Sequence, residues 1–355
     1  MPDTGPDTSG AGTTGQRRPS VYDVAELAGV SIATVSRVLR GTAPVAAATR
    51  QRVIAAADHL RWRPSRLARA FVTQRHGAVG IVFPDLGGPY YARVIGGFEH
   101  AAAEARVAVS ILATHGRPEA AELVVDLADR VDGLVVMGRT VGDDVVADVA
   151  RRVPLVVLAR PSLHGVAAVR AVNTRTAADL ARHVLAHGAR HLVFAGDPAR
   201  SPDVAERWQG VRRASRRAGA ATRLVPCDFD VEHGYKVGID LFGGGGPVDA
   251  VICANDEIAS GVVAAATACG RHVPADVAVT GWDDTPLAAR VHPPLTTVHQ
   301  PLHELGASAA HRLFERINGV VPTTDLALPT SLVVRESCGC RPAPTSHDPP
   351  QGRTS

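Results

Sequence analysis

The sequence contains 355 residues, of which 45% are hydrophobic and 21% are charged, and its mean hydropathy is +0.04. This composition is typical of globular proteins, and the length allows two or three domains. A membrane protein is excluded, because no window approaches the roughly 18–20 apolar residues of a spanning helix. The first twenty residues lack the apolar core of a secretory signal. We therefore expect a cytoplasmic protein with disordered tails at residues 1–19 and 339–355.

The net charge of +3 is unevenly distributed along the chain. Residues 20–75 carry nine arginines and three acidic residues, a net charge of +6, so the remainder carries −3. Concentrated positive charge is typical of a segment that binds the phosphates of nucleic acids. A solvated basic face would carry the same charge, but it would not explain why the charge coincides with the helices described next.

Residues 20–62 are predicted to form three short amphipathic helices. The first ends at Gly29, a residue that suits the left-handed conformation after a helix. The second begins at Ser31, whose hydroxyl caps the first turn. The third follows from apolar residues at spacing i, i+3, i+4 and i+7. The residues predicted to be buried are Val24, Ala28, Val35, Val38, Val53, Ala56, Ala57 and Leu60.

This order of helices is the helix-turn-helix arrangement, whose second helix lies in the DNA major groove. The segments YDVAELAGVS, TVSRVL, VAAATRQRV and RPSRLARAF resemble the headpiece of the lactose-repressor (LacI/GalR) family of transcription factors. The resemblance covers residues 20–338. It implies a homodimer that binds a pseudo-palindromic operator in double-stranded DNA and represses transcription.

The resemblance assigns DNA contacts to the start of the second helix. Ile32 and Ala33 occupy the base-reading positions of the family, where apolar side chains contact thymine methyl groups but cannot form bidentate hydrogen bonds. Arg37 can bind guanine through its forked donors. A purely structural role as a helix cap is the alternative for Ser31. The residues predicted to bind DNA in this helix are Ser31, Ile32, Ala33, Thr34, Ser36 and Arg37.

Residues 63–76 are predicted to form a hinge segment. It begins at Arg63-Pro64 and is too short to form a stable helix alone. The resemblance implies that it folds when two copies meet over the minor groove, where one side chain from each copy is wedged between base pairs. Phe71 occupies the wedge position, and Arg66 is also predicted to bind DNA. Packing of Phe71 against the following domain is the alternative.

From residue 77 onward, apolar strand-like segments alternate with alanine-rich helices such as residues 90–105 and 175–187. This pattern is typical of parallel sheets that are covered on both faces. The repeated layout predicts an α/β core of two doubly wound parallel-sheet subdomains with a cleft between them. The predicted strands are residues 80–84, 107–112, 133–137, 154–159, 191–196, 249–254 and 276–281.

The resemblance implies a periplasmic-binding-protein-like core in which the chain crosses between the subdomains three times, near residues 172, 297 and 322. The implied effector-binding and dimerisation domain is residues 77–338, with an N-terminal subdomain of residues 77–172 and 298–321 and a C-terminal subdomain of residues 173–297 and 322–338.

The resemblance also implies that a small polar effector, a sugar or a related metabolite, binds in the cleft. An arginine, an amide, a carboxylate and aromatic rings facing one cleft suit a polyhydroxylated ligand. Packing of the two tyrosines on their own helix and capping by Asn255 are the structural alternatives. The family often has an aspartate where this chain has Ala159, which argues against a standard monosaccharide site. The predicted effector-binding residues are Asp85, Tyr90, Tyr91, Arg207, Phe229, Asn255 and Asp283.

Motifs for catalysis and metal binding are incomplete in this sequence. The glycines at 243–246 lack the lysine of a phosphate-binding loop, and His303-Glu304 lacks the second histidine of a zinc protease. Cys338 and Cys340 supply two ligands, whereas a structural metal site needs four. We therefore predict reduced cysteines, no metal, no cofactor and no enzymatic activity. The alternatives are a sugar- or nucleoside-processing enzyme, or a solute-binding protein, with an appended DNA-binding head.

Overall fold

The fold is given by a computed structural model, and the residues it describes are 19–40, 44–62, 75–163, 165–244, 246–320 and 325–340. The chain divides into two compact units between Arg75 and His76. No helix among the described residues is long and apolar enough to cross a membrane. The predicted hinge contacts Arg66 and Phe71 lie outside the described residues.

The first unit contains three helices, α1 (Val21–Ala28), α2 (Ile32–Arg40) and α3 (Ala47–His59), which confirms the prediction for this segment. Their apolar faces form a single small core, and helices this short depend on one another for stability. Seven of the predicted core residues are buried and Leu60 is half-buried; the buried ones are Val24, Ala28, Val35, Val38, Val53, Ala56 and Ala57.

The turn between α1 and α2 is fixed at both ends by local hydrogen bonds. Gly29 ends α1 with a φ of 63°, the left-handed conformation that glycine adopts without strain. The hydroxyl of Ser31 accepts a hydrogen bond from the backbone N–H of Thr34 at 3.2 Å. This bond confirms the predicted cap of α2, and the same N–H also donates to the backbone carbonyl oxygen of Ser31 at 2.9 Å.

Helix α3 begins without a side-chain cap. Ala46 occupies the cap position with φ −51° and ψ 136° and offers no hydrogen-bond acceptor in its side chain. We expect Ala46→Ser to raise the free energy of local unfolding of α3 by about 1 kcal/mol. Amide hydrogen exchange of the first turn of α3, in the full chain, measures this gain. Ala48→Ser, inside the same turn, is the control, and equal stabilisation by both variants would contradict the capping account.

The second unit contains the strands β1 (Ala78–Phe83), β2 (Ala108–Ala113), β3 (Leu134–Met137), β4 (Leu155–Leu158), β5 (Ala167–Ala171), β6 (His191–Ala195), β7 (Ala221–Val225), β8 (Ala250–Cys253), β9 (Ala278–Thr280), β10 (Thr297–His299), β11 (Leu326–Leu328) and β12 (Ser331–Val333). Its helices are α4 (Gly88–Glu104), α5 (Ala120–Ala128), α6 (Asp143–Arg152), α7 (Thr174–Ala186), α8 (Pro202–Arg217), α9 (Val231–Gly243), α10 (Asp256–Ala268), α11 (Pro286–Arg290) and α12 (Leu302–Ile317).

Two parallel sheets confirm the predicted fold class. The first has the strand order β11-β5-β4-β3-β1-β2, and the second has the order β7-β6-β8-β9. Strand β1 shows why both faces are covered: Ile81 and Phe83 belong to the core under α4 and α12, whereas Val82 belongs to the opposite core under α5 and α6. Alternate residues of a strand point to opposite faces, so a strand buried on both faces is continuously apolar.

The chain passes between the two sheets three times, after β5, after β10 and after β11. The first passage, at residues 172–173, lies where the sequence predicts it. The third lies at residues 329–330 rather than near 322, because β11 pairs in parallel with β5 and Leu326 lies opposite Val169. Residues 326–328 therefore belong to the first subdomain, and the predicted boundary is wrong there. Strand β10 pairs with β12, so the second passage follows at residues 300–301.

Helix α12 follows the second passage and packs closely against α4. A side-chain carbon at Gly97 of α4 would collide with the backbone carbonyl oxygen of His303, and one at Gly306 of α12 would collide with that of Val94. Because only glycine allows this approach, the two helices are held backbone to backbone. The start of α4 and the second passage are thereby fixed relative to each other.

Candidate DNA-binding surface and effector site

The predicted DNA contacts lie together on the first two turns of α2. Ile32, Ala33 and Arg37 are exposed, and Ile32 retains 40% of its accessible surface although it is a large apolar residue. The hydroxyls of Ser31 and Thr34 lie 3.0 Å apart. This end of the helix therefore offers apolar, hydroxyl and guanidinium groups to solvent, the combination that a reading helix needs.

A further exposed side chain of the first unit was not predicted as a contact. Tyr22, in the first turn of α1, is 66% exposed. A tyrosine combines a large apolar ring with a hydroxyl that can bind phosphate. The sequence indicates its exposure, because Tyr22 does not lie on the apolar face of α1.

In the second unit, the guanidinium of Arg207 is the hub of a buried polar network. Arg207 lies on α8 and is 5% exposed. Its Nε–H donates to Asn173 Oδ1 at 2.9 Å, its NH1 donates to the carbonyl oxygen of Ala254 at 2.7 Å, and its NH2 donates to Gln300 Oε1 at 2.9 Å. Asn173 and Gln300 lie at the first and second passages, so the Arg207 side chain connects these two passages with the end of β8. A guanidinium has five donors, and these bonds engage three of them.

Trp282 completes the network from the other side. Its ring lies under the Arg207 guanidinium, with 4.5 Å between the guanidinium carbon and the ring centroid, and its Nε1–H donates to Gln300 Oε1 at 2.8 Å. The aromatic face attracts the cation and holds its plane. The sequence prediction omitted Asn173, Trp282 and Gln300, although Trp282 and Gln300 stand in the segments TGWDD and VHQP that follow β9 and β10.

Asp283 presents the least satisfied group of this region. The residue is 4% exposed, and its Oδ1 has no hydrogen-bond partner among the described residues. Gln300 Nε2 is likewise buried and unpaired within that part of the chain. The backbone of Asp283 has a φ of 101°, a costly conformation for a residue other than glycine. A buried acceptor and a buried donor that both lack partners are typical of a site that a polar ligand completes.

Burial dominates the electrostatics of these carboxyl groups. Burial raises the pKa of Asp283 to about 8, against the opposing effect of the Arg207 guanidinium. Burial likewise raises the pKa of Asp203, 4.0 Å from Arg207, to about 6. Asp203 was not predicted as a site residue, although it precedes Arg207 by one helical turn. A protonated Asp283 could donate to a ligand hydroxyl as well as accept from it.

The raised pKa of Asp283 gives a testable pH dependence. Because the folded state holds this proton up to about pH 8, its contribution to stability is full below the unfolded pKa and is lost as the pH rises through about 8. We expect the stability of Asp283→Asn relative to the original chain to increase from pH 6 to pH 9, measured by urea unfolding. The exposed Asp240→Asn is the control. A relative stability of Asp283→Asn that stays the same at both pH values would contradict this assignment.

Tyr90 and Tyr91 lie in the first turn of α4, where the sequence places them, and both are half-buried. Their rings meet edge to face with centroids 5.3 Å apart, and Tyr91 packs in the same way on Phe83 of β1. Burial raises the pKa of Tyr90 well above its usual value, and the carboxylates of Asp203 and Asp283 add to this effect. Tyr90 is therefore electrostatically coupled to the Arg207 network. The contact of Tyr91 with Phe83 is the kind that a structural packing role requires.

The remaining predicted effector residues have structural partners. Asn255 Oδ1 accepts a hydrogen bond from the backbone N–H of Ile258 at 2.9 Å, and its Nδ2 donates to the carbonyl oxygen of Phe229 at 2.9 Å. Capping of α10 by Asn255 is therefore present, and the same amide positions Phe229, which is half-buried. Asp85 is exposed, and its Oδ1 accepts hydrogen bonds from the N–H groups of Leu86 and Gly87 at 2.6 and 3.1 Å. Asp85 thus shapes its own loop.

The two subdomains touch around this network. A side-chain carbon built at Gly88, at the start of α4, would lie 2.6 Å from the Glu257 carboxylate of α10. Arg139 donates to the carbonyl oxygen of Ala199 at 3.2 Å, and Arg170 forms an ion pair with Glu206 at 3.0 Å. Burial raises the pKa of Glu257 to about 7. These contacts enclose the network between the two sheets.

Comparisons with known proteins agree with this architecture. Residues 20–65 match the family model described as "Bacterial regulatory proteins, lacI family", and residues 181–338 match "Periplasmic binding protein-like domain". The chain is 35% identical over 341 residues to the HTH-type transcriptional regulator reg1 of Streptomyces lividans, covering 90% of this chain and 96% of the relative. The chain belongs to the LacI family. This LacI-family protein is a DNA-binding transcriptional regulator, and its curated relatives carry the names of regulators.

Two solved structures share the fold of this LacI-family chain. A lac repressor dimer bound to operator and the anti-inducer ONPF has a TM-score of 0.80 and 27% identity, covering 91% of this chain and 99% of that one. A complex of the transcriptional regulator CelR with cellobiose has a TM-score of 0.68 and 31% identity, covering 90% of this chain and 100% of that one. Both cover the headpiece as well as the α/β core.

Proposed function

We propose that this protein is a homodimeric repressor whose operator binding is controlled by a sugar or a related polyhydroxylated effector held between its two subdomains. The observation that carries the effector is that Asp283 Oδ1 and Gln300 Nε2 are both buried and unpaired among the described residues, while Gln300 Oε1 accepts from the Arg207 guanidinium. Ligand hydroxyls both donate and accept hydrogen bonds, so a polyhydroxylated ligand can satisfy an acceptor and a donor of this kind. The cellobiose held by CelR is a ligand of this chemical class.

The proposed DNA interface is the exposed start of α2. Arg37 reads a base edge, and Ser31 and Thr34 approach the phosphates, while Ser31 also caps the helix. The hinge contacts Arg66 and Phe71 are part of the same proposal. Two headpieces in a dimer recognise a pseudo-palindrome, because each half-site meets the same helix. The lac repressor dimer on its operator supports this arrangement. A protein that binds operator DNA acts where the chromosome lies, so the proposed location is the cytoplasm.

The proposed mechanism is a shift between two arrangements of the subdomains. The first and second passages are bound to Arg207 through Asn173 and Gln300. A ligand in this network therefore acts where the two subdomains are joined. A ligand that prefers one arrangement changes its population and, through the dimer, the spacing of the headpieces. We propose no enzymatic role, which agrees with the relatives' names as transcriptional regulators and repressors.

A panel of sugars that includes cellobiose and ribose tests the effector proposal. Full-length protein is titrated while its affinity for selected operator DNA is followed by fluorescence anisotropy. We expect one class of sugar to change the affinity for operator DNA. We expect Asp283→Asn to weaken the binding of that sugar by about ten- to a hundredfold. The exposed Asp240→Asn should respond like the original chain. A sugar response that is unchanged in Asp283→Asn would contradict the proposed site.

A further inference from the structure

Four metal-ligating side chains converge at the C-terminal end of the described chain. His183 and His187 lie at the end of α7, and Cys338 and Cys340 follow β12. Their potential ligand atoms all lie within 4.8 Å of one another. His183 Nε2 lies 3.2 Å from Cys338 Sγ and 3.6 Å from Cys340 Sγ, and His187 Nε2 lies 3.1 Å from Cys340 Sγ.

The local sequence explains how each pair faces the other. Residues four apart on a helix lie on the same face, so His183 and His187 project together, with ring centroids 4.9 Å apart. Gly339, between the cysteines, has a φ of 95°, a backbone conformation that glycine adopts without strain. It turns the chain so that the two cysteines face the histidines. The sequence predicts a disordered tail from residue 339, but Gly339 and Cys340 are placed in this cluster.

The frame around the cysteines is built from buried hydrogen bonds. Cys338 is 3% exposed, and Thr296 Oγ1 lies 3.0 Å from its sulfur and donates to it. The neighbouring Ser337 is fully buried and donates to the carbonyl oxygen of Val279 at 2.6 Å. The segment is thereby attached to the middle of β9. Ligands held by such outer contacts are typical of preorganised metal sites.

The spacing fits a tetrahedral zinc ion. Bonds of about 2.3 Å to sulfur and about 2.0–2.1 Å to nitrogen place tetrahedral ligand atoms roughly 3.3–3.8 Å apart. Of the three sulfur–nitrogen distances, 3.6 Å lies within this range, and 3.2 and 3.1 Å lie just below it. Two thiolates would neutralise the ion, and two imidazoles would complete the closed Cys2His2 set of structural zinc sites. Separate thiol–imidazole hydrogen bonds would explain two pairs, but they do not require all four groups to meet.

We propose that His183, His187, Cys338 and Cys340 bind one Zn2+ ion that fastens the C-terminal segment to α7. Helix α7 is the first helix after the passage at residues 172–173, and the cysteines follow the last strand of the fold. The ion therefore closes the C-terminal subdomain at a point separate from the Arg207 network. His187 is exposed and Cys340 is half-exposed, which gives the ion a path from solvent.

Metal analysis of the full chain tests this site. Protein purified without chelator and dialysed with zinc should retain one zinc ion per chain by mass spectrometry of its metal content. Cobalt substitution should give the visible bands of a tetrahedral ion and a sulfur-to-cobalt charge-transfer band. His187→Ala and Cys340→Ser avoid the buried Cys338 and should each weaken zinc binding by more than about a hundredfold. Cys269→Ser, at an exposed thiol elsewhere, should retain the metal.

Three results would overturn the proposal. They are a zinc content well below one per chain after dialysis, zinc retained with unchanged affinity by both ligand variants, and a Cys338–Cys340 disulfide with no metal in protein prepared under reducing conditions. Chelation should lower the thermal stability of the original chain and leave that of Cys340→Ser unchanged, so the two preparations distinguish metal loss from a general defect in folding.

Discussion

Arg207→Ala is expected to destabilise the second unit by about 3–5 kcal/mol and to abolish the response to effector. The substitution removes the Arg207 donors from Asn173 Oδ1 and the carbonyl oxygen of Ala254, and it leaves Gln300 Oε1 with Trp282 alone. It also removes the cation that opposes the raised pKa of Asp203. Buried polar atoms that lose a partner retain their full desolvation cost. Urea unfolding of the full chain, followed by circular dichroism, measures the loss of stability.

Two variants separate the network from the charge. Arg207→Lys keeps a cation but cannot bind three acceptors with one planar group, so it should recover only part of the stability. Arg213→Ala, at an exposed arginine on the same helix, should change stability by less than about 0.5 kcal/mol. A loss in Arg207→Ala as small as that of Arg213→Ala would show that the network does not hold the passages together.

Arg37→Ala is expected to remove most of the preference for operator over random DNA while leaving weak, salt-sensitive binding. A bidentate contact between arginine and guanine contributes roughly 1–3 kcal/mol of discrimination, which is about five- to 150-fold in relative affinity. The neighbours Ile32 and Ala33 provide apolar contacts that cannot replace it. Fluorescence anisotropy with operator and scrambled duplexes, at two salt concentrations, measures both affinities.

Arg52→Ala is the matched control for the headpiece, because Arg52 is an exposed arginine on α3 rather than on α2. If Arg52 contacts a phosphate, its loss should weaken binding to operator and scrambled DNA equally and reduce the slope of log affinity against log salt concentration by about one for each half-site. Equal losses on both duplexes in Arg37→Ala as well would contradict the base-reading role of Arg37.

The sequence alone predicts the headpiece almost completely because its signals are local. Helical periodicity, the glycine after α1 and the hydroxyl cap of α2 each act within one or two turns. Among the strands, the ones found from sequence are continuous apolar runs. Five strands are not found from sequence: β5 contains Arg170, β7 is a partly exposed edge strand, and β10, β11 and β12 have only three residues each.

The cleft was predictable only in part. The resemblance implies that Arg207 and Asp283 share one site; in the structure both are buried, and the Arg207 guanidinium opposes the effect of burial on the pKa of Asp283. The partners Asn173, Trp282 and Gln300 come from three separate segments, so their meeting depends on the chain passages and not on any local pattern. The metal-ligating cluster has the same origin, since Cys338 lies next to a histidine 155 residues earlier.

Selection of bound sequences from a random DNA pool tests the central claim most directly. The full chain is incubated with random duplexes, and bound DNA is sequenced over successive rounds. If the protein is a dimer that binds specific DNA sequences, one pseudo-palindrome should be enriched. Arg37→Ala should lose the enrichment of the corresponding guanine in both half-sites. Retention of DNA without enrichment of any palindromic sequence would contradict the proposal that this protein is a sequence-specific, dimeric regulator.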